Sequence, residues 1–380
     1  MTNVPLLSVP SDGDGFLDLR GCSEGGTIIA ERYEIQDCLG VGSTAAVLRA
    51  LDRSSGVVVA VKIANATGNV HNRKIAREAE LYRRIVSKAS PALNLFPRMF
   101  GAGQHNDVSY VVFDLGGFNL FDVINMSCLH PLPKRHLREI IMQLLHGLCF
   151  LHSLQIVHTD IKPHNIVLRT SELHQTRRMR VDGFFVTKME LKSAELYIID
   201  FGDAVIVHDR TTGIVGTNPY RAPEVTLGLP WTAAIDAFAT GCVAAELYLG
   251  RPLFHYTDTD IERLALIERV LGSFPEDVAK NAERIQPGTF VLETPVHVVF
   301  PRPDVHCKAE VRRVMGAWPL SGLVFDVQYL DLCALLMTLD PLKRQDLRTI
   351  LVLPFLQSSD DDMVLVEPWE NHVLVSFPGV

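Results

Sequence analysis

The chain has no excess of positive charge, no closely paired cysteines and no long unbroken apolar run, and each absence closes off a class of protein. It carries 36 Lys+Arg against 44 Asp+Glu, a formal net charge of -8. General nucleic-acid binding needs basic surface to displace counterions, so no direct nucleic-acid contact is expected. The seven cysteines (Cys22, Cys38, Cys128, Cys149, Cys242, Cys307 and Cys333) are odd in number, widely spaced and never arranged as C-x-x-C. That usage argues against a disulfide framework or a zinc site. It fits small buried hydrophobes in a reducing compartment, so an intracellular location, nucleus and/or cytoplasm, is expected. The longest apolar stretch, Ala237 to Leu249, is interrupted by Glu246 and is too short to span a bilayer, so no membrane partner is expected. Met1 to Gly26 lacks a basic segment followed by an apolar run, so no secretory signal is read there.

What is present is ordinary globular material. The 380 residues are 47% hydrophobic and 21% charged, which excludes a disordered chain or a collagen and allows a large core. Residues 1–32 are rich in Gly, Ser and Asp and read as a flexible leader. Strand-like segments follow at Tyr33 to Leu39, Val47 to Leu51, Gly56 to Ile63 and Tyr110 to Phe113. Between the third and fourth, His71 to Ser87 has a helical apolar spacing through Ile75, Ala79, Tyr82 and Val86. After Gly116-Gly117 the pattern turns helical. Leu137, Ile140, Ile141, Leu144, Leu148 and Leu151 form one long stripe, and Ala233 to Leu249 is apolar nearly all round, as in a core helix. The expectation is an α+β chain with a small β-rich part and a larger helical part. From Ser358 the chain reads as a polar tail, in which Met363 to Val366 and Val373 to Phe377 are apolar enough to dock on the body.

Chemistry-bearing residues fall at the junctions of these elements. Leu39-Gly40-Val41-Gly42-Ser43-Thr44-Ala45-Ala46-Val47 links two strands, and its glycines let backbone approach phosphate oxygens closely. It is no Walker loop, because no Gly-Lys-Ser/Thr follows and it leads into a strand. Val59-Ala60-Val61-Lys62 ends an apolar strand with a lysine that needs an anionic partner. Glu78 lies on the inner stripe of the helix, between Ile75 and Tyr82, whereas Glu80 should face away. Val157-His158-Thr159-Asp160-Ile161-Lys162-Pro163-His164-Asn165 follows the long helix. Asp200-Phe201-Gly202 follows the apolar strand Leu196 to Ile199, and Ala222-Pro223-Glu224 comes next.

This ordered set resembles the eukaryotic protein kinases: a glycine loop, a strand lysine, a helical glutamate, H-x-D-x-K-x-x-N, D-F-G and A-P-E. The resemblance runs from about Tyr33 to Leu356. It implies a bilobal protein-kinase fold with a domain at 33–356, divided into an N-lobe (33–113), a hinge (114–119) and a C-lobe (120–356), followed by a tail at 357–380. It also implies an enzyme that moves the γ-phosphate of ATP, with Mg²⁺, onto Ser or Thr of a protein substrate. Phosphoryl transfer rests on positioning and on neutralising phosphate charge. In that frame Lys62 holds phosphates with Glu78 as counter-ion, Asp160 accepts or orients the substrate hydroxyl proton, and Lys162 neutralises γ-phosphoryl charge. Asn165 and Asp200 offer hard oxygen donors to Mg²⁺. The ATP-binding residues implied are Leu39, Gly40, Val41, Gly42, Val47, Ala60, Lys62, Phe113, Asp114, Gly116 and Val167, with Phe113 as gatekeeper and the backbone of Asp114 and Gly116 on the adenine edge. Thr217, Arg221 and Glu224 belong to the substrate and activation segment. Glu224 is expected to pair with Arg344, Asp236 to cap the catalytic-loop backbone, and His158 and Phe201 to serve packing.

Within the CMGC group the chain looks most like the LAMMER (CLK) dual-specificity kinases, with the SR-protein kinases (SRPK) as runner-up. Thr159 replaces the arginine that normally binds an activation-segment phosphate, so no such phosphate is expected to be required. Thr217-Asn218-Pro219-Tyr220-Arg221-Ala222-Pro223-Glu224 carries Y-R-A-P-E, and Phe113 to Asp122 resembles the LAMMER hinge. The insert between Asn165 and Asp200 is long. Glu262-Arg263-Leu264-Ala265-Leu266-Ile267-Glu268-Arg269 keeps four of the six name-giving positions. Departures are Ala45 for the third glycine, Phe238 for a tryptophan, His164 for a Glu and Asn218 for an arginine. The implied partners are Arg/Ser-rich protein substrates, acted on by a monomer. A catalytically weak kinase-fold scaffold is the alternative. The basic run Arg177-Arg178-Met179-Arg180 reads as a solvated loop, or as a nuclear-import signal.

Overall fold

The computed structural model describes residues 27–65, 69–90, 93–179, 185–207, 211–302 and 304–358. The expected tail beyond Ser358, its two apolar stretches, Arg180 and most of the expected leader lie outside these residues. The chain divides into two compact units. One comprises the chain up to Arg84 together with Arg98–Leu115; the other comprises Ile85–Pro97 and the chain from Gly116 onward.

The first unit is one antiparallel sheet and a helix. Its strands are β1 (Ile28–Ile29), β2 (Tyr33–Val41), β3 (Ala45–Asp52), β4 (Val57–Ala64), β5 (Met99–His105) and β6 (Val108–Asp114), in the spatial order β1-β2-β3-β4-β6-β5. Helix α1 (Asn69–Lys88) lies between β4 and β5 in sequence. The valine-rich β4 alternates as a strand must: Val59, Val61 and Ile63 are fully buried, while Val58, Ala60 and Lys62 show on the other face. Residues directly opposite one another in a ladder point to the same side. Val47 is opposite Lys62 and Phe113 is opposite Ala60, so Val47, Ala60, Lys62 and Phe113 share one face of the sheet. Two details differ from the sequence reading. Ile28–Ile29, inside the expected leader, pairs with β2. Strand β5 carries Gly101 and Gly103 and shows no alternation, which is why it left no sequence signal. On α1, Ile75, Ala79 and Tyr82 are buried as the spacing predicts, but Val86 is exposed and Ile85 takes the inward position.

The second unit is mainly helical. It opens with α2 (Leu120–Asn125) and α3 (Lys134–Ser153), followed by β7 (Ile156–Val157), a 3-10 turn at Pro163–Asn165, and β8 (Ile166–Leu168). The insert forms a hairpin of β9 (Leu173–Met179) and β10 (Phe185–Leu191). The loop expected around Arg177 and Arg178 is therefore corrected to a strand, because β10 supplies a backbone partner across the whole of β9. The buried Glu190 of β10 anchors the hairpin to Arg135 of α3 and to the Thr176 hydroxyl. Next come β11 (Leu196–Ile198), β12 (Val205–Ile206), α4 (Pro223–Thr226), α5 (Ala234–Leu249) and α6 (Asp260–Leu271). Helix α5 is buried nearly all round, as its composition predicts, and ends at Gly250, whose φ of 69 gives the left-handed cap. Gly116 and Gly117 admit no side chain: an added Cβ would lie 2.4 Å from Val167 Cγ1 at the first and 2.3 Å from the Thr170 backbone at the second.

Candidate active site

In the first unit the glycine loop is the turn between β2 and β3. Gly40 faces Val47 in the ladder, and the Gly42 amide donates to the Ala45 carbonyl at 2.8 Å. Neither glycine is among those with positive φ, so their value here is space: a Cβ on Gly40 would meet nothing within 4 Å. Lys62 Nζ donates to both oxygens of Glu78, at 2.9 and 2.7 Å. Glu78 is buried and Glu80 exposed, as the helix phase predicts. Phe113 meets the Tyr82 ring edge-on, with centroids 4.9 Å apart. Of the backbone groups expected at the adenine edge, the Asp114 amide already donates to the Arg98 carbonyl at 2.9 Å, so that group is not free to meet a ligand.

The second unit builds its site around Asp160. The Asp160 Oδ1 accepts from the Thr217 amide at 3.0 Å and from the Thr217 hydroxyl at 2.6 Å. Its Oδ2 accepts from Lys162 Nζ at 2.6 Å, and Lys162 also reaches the Thr217 Oγ1 at 3.0 Å. Asn165 Nδ2 donates to the Asp160 carbonyl at 2.9 Å. Burial alone would raise the Asp160 pKa, but the hydrogen bonds from Lys162 and Thr217 outweigh it and hold the carboxyl below its ordinary 3.8. Asp160 is therefore ionised at neutral pH and held in one orientation.

The loop itself is held from below. Asp236, buried in the first turn of α5, accepts the His158 amide on Oδ2 and the Thr159 amide on Oδ1, each at 2.9 Å. The fully buried His158 contacts the Ile199 carbonyl through Nε2 at 3.0 Å and the Asp160 amide through Nδ1 at 3.3 Å. A carbonyl only accepts and an amide only donates, so the ring is the neutral Nε2–H tautomer. Thr159 has a φ of 69, unfavourable for a β-branched residue. Its amide bond to Asp236 and its hydroxyl bond to the Asp203 carbonyl at 3.0 Å hold it there. Asp200 also has a left-handed φ, of 66, and its exposed carboxylate accepts from the Gly202 amide at 3.3 Å. With Asn165 Nδ2 committed to the Asp160 backbone, the Asn165 carbonyl oxygen and the Asp200 carboxylate make a hard-oxygen donor set, which fits Mg²⁺.

The segment leading to Glu224 is tied down by groups that carry no phosphate. Thr211 and Trp231 exchange two backbone bonds, and the Trp231 indole donates to the Gly213 carbonyl at 2.9 Å. Arg221 holds the Gly216 carbonyl at 3.0 Å. Asn218, at the departure from the usual arginine, bonds Thr257. Glu224 and Arg344 form a bidentate pair at 2.7 and 3.0 Å, both side chains fully buried.

Three features escaped the sequence reading. The buried Arg263 donates to the Arg221 carbonyl, and a basic residue among the apolar positions of α6 was the signal for it. Tyr220 donates to the buried Glu246 at 2.7 Å, and burial pushes that carboxyl up to about 7. The rings of Phe121 and His164 stack, which no local sequence pattern announces.

A sheet with a lysine–glutamate pair, and a helical unit with an aspartate held by lysine and threonine, define the protein kinase class. The protein kinase domain family profile matches residues 33–356, and the chain belongs to that family. Its curated relatives include Dual specificity protein kinase CLK4 of Homo sapiens, 31% identical over 281 residues, covering 73% of this chain and 56% of that protein. Serine/threonine-protein kinase AFC2 of Arabidopsis thaliana is 33% identical over 262 residues, covering 68% and 61%. Dual specificity protein kinase lkh1 of Schizosaccharomyces pombe is 30% identical over 290 residues, covering 74% of this chain but 41% of the relative. The chain thus spans between about two fifths and three fifths of these relatives' lengths. A crystal structure of a kinase domain aligns with a TM-score of 0.79 at 25% identity, covering 87% of this chain and 97% of the other. The resemblance to the LAMMER/CLK dual-specificity kinases read from the motifs is the one the relatives carry.

Proposed function

We propose that the protein is an ATP-dependent serine/threonine kinase of the LAMMER/CLK type, with dual specificity, that phosphorylates Arg/Ser-rich proteins. The observation that carries the reading is the Asp160 carboxylate, ionised, with one oxygen on Thr217 and the other on Lys162. A substrate hydroxyl oxygen attacks the γ-phosphorus, the bond from that phosphorus to the β-bridging oxygen breaks, and the hydroxyl proton passes toward Asp160. Lys162 balances the charge that gathers on the transferring group. Lys62, paired with Glu78, steadies the α- and β-phosphates. Val47 and Ala60, with Leu39, Val41 and Phe113, are the adenine-binding residues of the sheet unit, and Val167 is that of the helical unit. Bound Mg²⁺ would be held by Asn165 and Asp200 and would neutralise phosphate charge.

A net charge of -8 favours encounter with a cationic substrate. Intracellular placement in nucleus and/or cytoplasm is supported by six described cysteines that form no disulfide. No described helix is long and apolar enough to cross a membrane, and in this reading the enzyme acts as a monomer away from membranes. The substrate class is tested by a serine-peptide array with labelled ATP. Strong labelling of peptides with arginine next to the serine is expected. Preference for acidic flanks, or for proline after the serine without arginine, would overturn the substrate class.

A further inference from the structure

Helix α6 buries one side chain that its chemistry would place in water. Arg263 has no exposed surface, like Leu264 and Ile267 beside it. A guanidinium carries five N–H donors and a charge it does not give up, so burying it calls for acceptors and a counter-charge. Arg263 has little of either. Its Nη2 donates to the Arg221 carbonyl, while among the described residues Nε and Nη1 make no hydrogen bond. Asp260, one turn earlier on α6, is exposed and acts on it only at longer range. The face of the Phe254 ring, 5.7 Å from the guanidinium carbon, adds a cation–π contact. Burial pulls the Arg263 pKa down to about 10, and the Arg221 charge pushes the same way, so the group is still a cation at neutral pH. An apolar side chain of similar volume would cost the fold less.

The one bond that Arg263 makes lies on a line to the reacting centre. Arg221, whose carbonyl it holds, turns its own guanidinium back along the chain, to the Val215 carbonyl at 3.1 Å and the Gly216 carbonyl at 3.0 Å. Gly216 has a φ of 78, and a Cβ there would lie 2.9 Å from the Thr159 carbonyl, so the segment is pressed against the Asp160 loop. The next residue is Thr217, which gives its amide and its hydroxyl to Asp160. We propose that Arg263 is a positioning residue: it fixes the Arg221 backbone, so that the Arg221 side chain sets Thr217 against Asp160, and the buried charge is kept for this purpose. The proposal rests on the kinase reading above and adds to it a residue from α6 that touches neither Asp160 nor Thr217.

Two variants of the full chain test it. Arg263→Met fills the space without the charge, and Arg263→Lys keeps one donor. Arg263→Met should melt no lower than the unsubstituted protein, because the group removed is a poorly compensated buried charge. Its amide exchange over residues 215–221, read by mass spectrometry, should nevertheless rise at least about tenfold. With an Arg-Ser repeat peptide its kcat should fall at least about fivefold while KM for ATP stays within about twofold, the pattern of geometry lost in the chemical step. Arg263→Lys should bring exchange and kcat back to within about twofold of the unsubstituted protein. A lower melting temperature in Arg263→Met, unchanged exchange, a smaller loss of kcat, or a lysine variant as impaired as the methionine one overturns the proposal. Exchange is read whether or not the protein transfers phosphate. Transfer by the unsubstituted protein with unchanged exchange in Arg263→Met overturns the role of Arg263 and leaves the kinase reading standing. No transfer by the unsubstituted protein, with exchange raised in Arg263→Met and restored in Arg263→Lys, overturns the kinase reading and supports the hold of Arg263 on the segment.

Discussion

Replacing Asp160 with asparagine should lower kcat by about 10²–10⁴-fold, the usual contribution of a positioned proton acceptor, while thermal stabilisation by Mg·ATP persists. The substitution keeps the shape of the side chain and its ability to accept from Thr217, but removes the charge that Lys162 faces at 2.6 Å. The loss should therefore appear in the chemical step and not in nucleotide binding. The pH dependence follows from the same geometry. The folded-state pKa of Asp160 lies below its ordinary 3.8, so its ionised form is favoured by folding. That contribution to stability is fully present above the unfolded value and is lost as pH falls through the folded value. No loss of rate assignable to Asp160 should occur between pH 7 and about pH 5. Steady-state kinetics, paired with thermal shift in the presence and absence of Mg·ATP, measure both parts. A variant that retains more than a tenth of kcat would remove Asp160 from the chemistry.

Replacing Arg344 with leucine should destabilise the helical unit by about 3–5 kcal/mol, the usual cost of removing one member of a buried ion pair. Both partners are at zero side-chain exposure, so water does not screen the loss. Four hydrogen bonds go together: two to Glu224, one to the Ala234 carbonyl at 2.8 Å and one to the Thr338 carbonyl at 2.9 Å. The guanidinium also sits over the Phe238 ring, 5.3 Å from its centroid. The penalty comes chiefly from the stranded Glu224 carboxylate, so adding Glu224→Leu should recover part of it. Urea midpoints of the single and double variants measure the effect. A shift within the range of ordinary surface substitutions would show that the pair contributes little.

Much of this was legible in the sequence because it is local or periodic. Val59-Ala60-Val61-Lys62 marked an apolar strand whose lysine needed an anionic partner, and the helix phase chose Glu78 over Glu80. The apolar circumference of Ala234–Leu249 marked a core helix. The ordered motifs then supplied long-range contacts that no period encodes, such as Glu224 with Arg344. What stayed hidden depends on partners distant in sequence. Strand β5 is a strand because β6 pairs with it, not because Met99–His105 alternates. The insert became a hairpin because two ordinary segments found a mutual register. The Phe121–His164 stack joins a helix cap to a 3-10 turn, and neither residue alone predicts the other. Arg263 stood in an apolar helix as a visible anomaly, but its acceptor, the Arg221 carbonyl, belongs to a different segment.

The central claim is that this chain transfers the γ-phosphate of ATP to a hydroxyl on a protein. The direct measurement incubates the purified full chain with Mg²⁺, γ-labelled ATP and an Arg-Ser repeat peptide, with the Asp160→Asn protein as control, and identifies the labelled residue. Label on serine, at a rate at least about 10²-fold above the control, is predicted. No transfer above the control, with Mg·ATP bound or unbound, would contradict it.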